Sequence, residues 1–178
     1  KFYVLGRSNT PLPYYEKAEI IDIGSEGKAI AKVDGIVVFT THVIPGDIVD
    51  LQVIKKREKY QEAKVVKIHT KSADRVPAFC EHFEVCGGCK WQYLPYNKQL
   101  YYKQKQVFDQ LRRIGKVTFP EIMPIKGSAN STFYRNKLEF TFSNRRWLTL
   151  DEVRSGALFG DMNVLGFHVQ GMFDKVLN

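Results

Sequence analysis

Residues 36–70, IVVFTTHVIPGDIVDLQVIKKREKYQEAKVVKIHT, carry the pattern that decides the fold. Val49-Asp50-Leu51-Gln52-Val53 alternates apolar with polar residues, the period-two signature of a strand with one buried face. Pro45-Gly46-Asp47 breaks the run before it, and the cationic stretch Lys55-Lys56-Arg57-Glu58-Lys59 separates it from QEAKVVKIHT, residues 61–70. Working outward, KAEIIDIG (17–24) and GKAIAKVDG (27–35) are two more strand-like segments, punctuated by Gly24, Gly27 and Asp34-Gly35. Five short strands in about 50 residues predict a small antiparallel β-barrel of the OB type, because closure removes exposed edges. The expected first domain is therefore residues 1–70.

Residues 71–178 form the second expected domain, opening with the polar connection KSADRVPAF. LPYNKQLYYKQKQVFDQLRRIG, residues 94–115, reads as a helix with Pro95 suited to its first turn and Gly115 to its end. Leu100, Val107, Phe108, Leu111 and Ile114 share an apolar stripe, while Lys103, Gln106, Gln110 and Arg113 share another face. FYRNKLEFTF (133–142) alternates as a half-buried strand, NVLGFHV (163–169) predicts another, and FDKVLN (173–178) a continuation after a turn. The whole is an α+β chain: an OB-like barrel followed by part of an α+β domain.

The 178 residues carry 27 Lys or Arg against 19 Asp or Glu, a net charge of +8. Much of the excess lies in residues 90–116, where seven basic residues face one acid, Asp109, for a local +6. Such a cluster attracts polyanions by releasing their counterions. Lys55, Lys56, Arg57 and Lys59, beside Tyr60, suit phosphate contact and base stacking, and Lys103 and Arg113 add cations on the helix. Apolar runs such as Ile36-Val37-Val38-Phe39 are too short to cross a bilayer, and no signal segment opens the chain. A cytoplasmic location and no membrane partner are expected. Because it opens at Lys1 without Met and stops at Asn178 inside a strand-like pattern, the chain is expected to be part of a longer protein.

All three cysteines fall in FCEHFEVCGGCKW, residues 79–91, spaced C-x5-C-x2-C. An odd, clustered set points to metal ligation in a reducing compartment rather than to disulfides. Soft thiolates select zinc or iron–sulfur clusters, and Gly87-Gly88 lets one loop present several sulfurs to one centre. Zinc with three cysteines and one histidine is the competing assignment; His82 is two residues from Cys80, and His42, His69 and His168 have no finger-like spacing. Phe79, Phe83, Trp91 and Tyr93 are placed to shield a centre from water. No activating base lies near for a nucleophilic cysteine, and no G-x-G-x-x-G follows a strand.

The chain resembles the RNA (uracil-5-)-methyltransferases, specifically the 23S ribosomal RNA branch with an iron–sulfur motif. The resemblance is carried by VIPGDIVDLQV, which looks like part of a TRAM domain, by CEHFEVCGGCKWQYLPYNKQLYYKQKQVFDQLRRIG, by YRNKLEFTFS and by LGFHVQGMFDKVLN, in that order. It implies a TRAM barrel that binds RNA and a central domain holding a 4Fe-4S cluster on Cys80, Cys86 and Cys89. It also implies a C-terminal domain, absent here, that binds S-adenosylmethionine. The fourth cysteine ligand is expected just past Asn178, so the cluster is expected to be missing or unstable in these residues alone. In the family reaction a cysteine adds to C6 of a uracil and C5 takes the methyl group. No catalytic residue is expected in this chain, although Arg135, in the YRN segment, is a candidate for RNA contact. Ribosomal RNA is the expected partner of a monomeric enzyme. The alternatives are a transfer RNA enzyme of the same family and a non-enzymatic zinc-stabilised RNA-binding module. A methylthiotransferase is disfavoured because its C-x3-C-x2-C spacing and domain order differ.

Overall fold

The structure, a computed structural model, describes residues 11–172 and 174–177. Residues 1–10 of the expected barrel domain, and residues 173 and 178 of the last expected strand, lie outside the described residues.

Each of the five expected strands forms: β1 (Tyr14–Ile23), β2 (Ala29–Val33), β3 (Ile36–Thr40), β4 (Ile48–Lys56) and β5 (Tyr60–Thr70). They close in the order β1-β2-β3-β5-β4, with β4 returning to β1. Four pairings are antiparallel, and the fifth, β3 with β5, is parallel, in register from Val37↔Tyr60 to Phe39↔Glu62. The alternation read in residues 49–53 holds, with Val49, Leu51 and Val53 buried in the barrel beside Ala18, Ile20, Ala29, Ala31, Val38 and Ala63. Alanines on three strands leave the narrow interior room for the larger branched residues of the others. Register shifts between Tyr15 and Ala18, between Ile20 and Asp22, and at three places along β4 and β5 are the bends that curve a short sheet into a barrel.

Two buried carboxylates anchor the turn before β4 and the first residues of that strand. Gly46 takes φ +90°, a conformation that glycine adopts without the Cβ penalty, and a Cβ there would lie 2.8 Å from Ser72 Oγ. The turn directs Asp47, fully buried, to accept from Ile44 N and Ser72 N, each at 2.8 Å, and from the guanidinium of Arg75. Asp50 accepts from Lys17 N at 2.8 Å, and His69 Nε2 lies 2.8 Å from the same oxygen. The Lys17 backbone N–H is the largest influence holding the Asp50 carboxyl below the usual range, and burial opposes it. Tyr14 is pushed upward, first by burial and then by its hydrogen bond to Asp50.

The chain divides between Arg75 and Val76, five residues beyond the expected boundary. The reason is the anchoring of Ser72 and Arg75 to Asp47, which holds residues 71–75 to the barrel, whereas Val76 N already bonds Tyr93 O at 3.0 Å.

The second unit holds α1 (Tyr96–Asp109), β6 (Thr141–Ser143), α2 (Leu150–Ser155), β7 (Val164–His168) and β8 (Val176–Leu177), the strands lying in the order β6-β7-β8. Pro95 caps α1, and Gln110–Ile114 continue it as a π turn that Gly115 closes. The apolar stripe expected to be buried is not: no residue of α1 is buried, and Val107, Phe108, Leu111 and Ile114 remain exposed. Phe119 meets the stripe edge-on at Phe108, 5.6 Å between ring centres. The strand expected over 133–142 shrinks to its last residues. Val164–Gly166 of β7 pair with β6, and residues 133–140 belong to no strand among the described residues, although the Phe140 ring still meets Phe167 at 4.8 Å. In β7, Gly166 admits β8, since a Cβ there would lie 1.6 Å from Leu177 O.

Helix α2 was not anticipated, although Thr149-Leu150-Asp151-Glu152 spells a capping box. Thr149 N donates to Glu152 Oε2 at 2.8 Å and Glu152 N to Thr149 Oγ1 at 3.3 Å. The Thr149 N–H, then Arg146, hold the Glu152 carboxyl below its ordinary range.

Candidate RNA-binding and cysteine sites

Lys55 and Lys56 end β4, and Arg57 N donates to Tyr60 O at 2.9 Å to close the turn into β5. All four cations of the turn, Lys55, Lys56, Arg57 and Lys59, are exposed. Tyr60 is less free than its sequence position suggests, since its ring packs edge-on to Phe39 at 5.4 Å.

In the second unit, the exposed Lys103 places Nζ 5.9 Å from the centre of the Trp91 ring, a cation–π distance. Arg113 lies in the π turn with Nε 3.2 Å from Asp109 Oδ1, an exposed guanidinium on a half-buried carboxylate. Arg135 is exposed, and its Nε donates to Lys137 O at 3.2 Å. The candidate cations thus fall in separate groups, one on the barrel turn and the others on the second unit.

The cysteine segment is held by backbone bonds. Phe83 N donates to Cys80 O at 3.1 Å, Cys86 N to His82 O at 2.9 Å, and Cys80 N to Gln92 Oε1 at 3.2 Å. Cys86 bridges Val169, with Gly87 N bonding His168 O at 3.3 Å and Gln170 N bonding Val85 O at 2.9 Å. Cys80 and Cys86 are half-buried and Cys89 is exposed; all three are free thiols. Gly88 N lies 3.4 Å from Cys86 Sγ, the backbone donation to sulfur that a ligating thiolate receives. His82 pairs with Glu81 at 3.5 Å. In kind these donors fit an iron–sulfur cluster. In placement, no three His, Cys, Asp or Glu among the described residues are grouped to hold a metal ion.

Of the aromatics expected to shield a centre, Phe83 is buried edge-on against Tyr93 at 4.9 Å, and Tyr93 donates to Glu84 Oε1 at 2.9 Å. Phe79 is 67% exposed and lies 6.3 Å from the Phe133 ring. The prominence of Phe133 was not read from the sequence, where it appeared only as the first residue of an expected strand. Among the described residues no helix is long and apolar enough to cross a membrane.

Residues 16–66 match the TRAM domain family, a span lying within β1 to β5. The chain is 61% identical over 155 residues to an uncharacterized RNA methyltransferase of Bacteroides thetaiotaomicron, covering 87% of this chain and 34% of the relative. It is 40% identical over 122 residues to the 23S rRNA (uracil(1939)-C(5))-methyltransferase RlmD of Francisella tularensis subsp. novicida, covering 68% of this chain and 27% of the relative. Among solved structures, the tRNA (uracil-54, C5)-methyltransferase of Pyrococcus abyssi with S-adenosyl-L-homocysteine shares 25% identity and a TM-score of 0.34, over 56% of this chain and 21% of that one. The chain spans about a third of the length of the curated relatives it matches. Residues 16–66 thus form a TRAM domain, and most of the chain is similar to about a third of the length of proteins named RNA methyltransferases.

Proposed function

We propose that this chain is the RNA-recognition portion of an S-adenosylmethionine-dependent 23S rRNA (uracil-5-)-methyltransferase, a cytoplasmic monomer that forms 5-methyluridine. The observation that carries the reading is the coincidence of the TRAM match with a closed barrel whose β4–β5 turn presents four exposed cations. Cations on a rigid hairpin contact phosphates and set the register of an RNA without reading its bases. Lys103, Arg113 and Arg135 extend that role to the second unit. The reaction needs a thiolate for C6 of the uracil and a base for the C5 proton. With the three cysteines reserved as ligands, the reading assigns catalysis and S-adenosylmethionine binding to parts of the protein outside these residues. A 4Fe-4S cluster would be held by Cys80, Cys86 and Cys89 with one further ligand, and would supply a structural tie for the cysteine loop.

The test is RNA affinity of the intact protein across salt concentrations. Affinity should fall steeply with salt, and replacing Lys55, Lys56, Arg57 and Lys59 by Ala should flatten the log–log slope by about 0.7 for each single-strand phosphate that is no longer neutralised. An unchanged slope would remove the hairpin from the interface.

A further inference from the structure

A cleft of about 680 Å³ opens in the second unit between the cysteine loop, the first turn of α1 and the segment 131–138. Its size is that of an ordinary small-ligand site, about 300–1,000 Å³. Phe79, Trp91, Tyr96, Phe133 and Tyr134 line it, together with Lys90 and Arg135, and no acidic side chain is among the described residues that do.

Three features of these aromatics are costly unless something binds there. Phe133 is 96% exposed, which leaves a large apolar ring in water. Its φ is +53°, a left-handed conformation that is a steric outlier for a bulky residue, and such outliers gather at ligand-binding positions. The Trp91 indole N–H is buried and has no acceptor among the described residues. Phe79 stands 6.3 Å from Phe133 with their planes tilted by 57°, so the exposed rings form a paired wall rather than isolated surface residues.

The occupant this wall fits has flat π faces, acceptor atoms and negative charge. A nucleobase on its phosphate backbone has all three: its faces stack on aromatic rings, its carbonyls and ring nitrogens accept N–H donors, and its phosphates meet Lys90 and Arg135. We propose that this cleft is a stacking subsite for an unpaired base of the RNA, with Phe133 and Phe79 as its stacking wall. The inference rests on the RNA-recognition reading and adds a position at which bases, not only phosphates, are felt.

The test compares a short single-stranded RNA with the same strand carrying abasic sites in place of its bases, so that the phosphate charge is identical. Phe133→Ala in the intact protein should weaken binding of the RNA by about 5- to 150-fold, the range of one lost base–aromatic stack, and leave the abasic strand's affinity unchanged. The Trp91 emission, taken as the difference between wild type and Trp91→Phe, should respond to the RNA and not to the abasic strand. Equal binding of the two strands by wild type, or equal losses for both in Phe133→Ala, would overturn the subsite while leaving RNA recognition standing. Failure to bind either strand would instead refute the RNA-recognition reading and the subsite with it. A marked fall in melting temperature for Phe133→Ala, with the ratio of the two affinities unaltered, would show that protein covers the wall and would also overturn the proposal.

Discussion

Asp47→Ala is expected to destabilise the barrel by about 3–5 kcal/mol, the range found when one partner of a buried ion pair is removed. Asp47 is fully buried, and the Arg75 side chain that meets it is only 9% exposed. Removing the carboxylate strips the guanidinium of its counter-charge and also leaves Ile44 N and Ser72 N without the acceptor they use. A loss of that size is a large part of the total stability of a small domain, about 5–15 kcal/mol. Because residues 71–75 attach to the barrel through this carboxylate, the same change should free that segment. Denaturant unfolding of Asp47→Ala, Arg75→Ala and the double variant checks the account. The double variant should lose clearly less than the sum of the singles, since either single change already breaks the pair. Strict additivity would mean that the pair is not the unit of stabilisation.

Cys86→Ala is expected to abolish metal loading of the intact protein rather than reduce it slightly. Purified without oxygen, the protein should carry iron and acid-labile sulfide in the ratio of a four-iron cluster. Of the three thiols, Cys86 is the one fixed by a β-bridge, to Val169, with backbone bonds on either side of it, so it is the anchor for the others. Cys89, exposed and preceded by Gly87-Gly88, is the ligand free to swing inward. The bridge is made by backbone atoms and survives alanine, so an absence of metal would report missing ligation rather than a disrupted fold. Stoichiometric zinc with no iron or sulfide would assign the site to a zinc-stabilised module instead.

The barrel was legible because its information is local. Alternation in Val49–Val53, the Pro45-Gly46-Asp47 turn and short spacings fix each strand and the buried face of β4. The parallel β3–β5 pairing was not legible, because it joins strands that are not consecutive and depends on how the barrel closes. Residues 133–140 show the converse: their alternation is strand-like, but pairing needs a neighbouring edge, and alternation carries no information about that. The stripe on α1 was equally periodic, yet burial depends on a partner surface, which Phe119 supplies only in part. The capping box at Thr149 was readable and passed over, whereas the cleft around Phe133 was not, since it joins residues 79, 91 and 133 through packing alone. The cysteine spacing raised the expectation of metal ligation, while where each thiol sits followed only from the backbone bonds around the loop.

The central claim is tested most directly by incubating the intact protein with 23S rRNA transcribed without modifications and methyl-labelled S-adenosylmethionine, then digesting the RNA to nucleosides. The account predicts label in 5-methyluridine, at a single uridine. Label in any other nucleoside, label accepted by transfer RNA and not by the ribosomal transcript, or no transfer by protein that binds the RNA would contradict it.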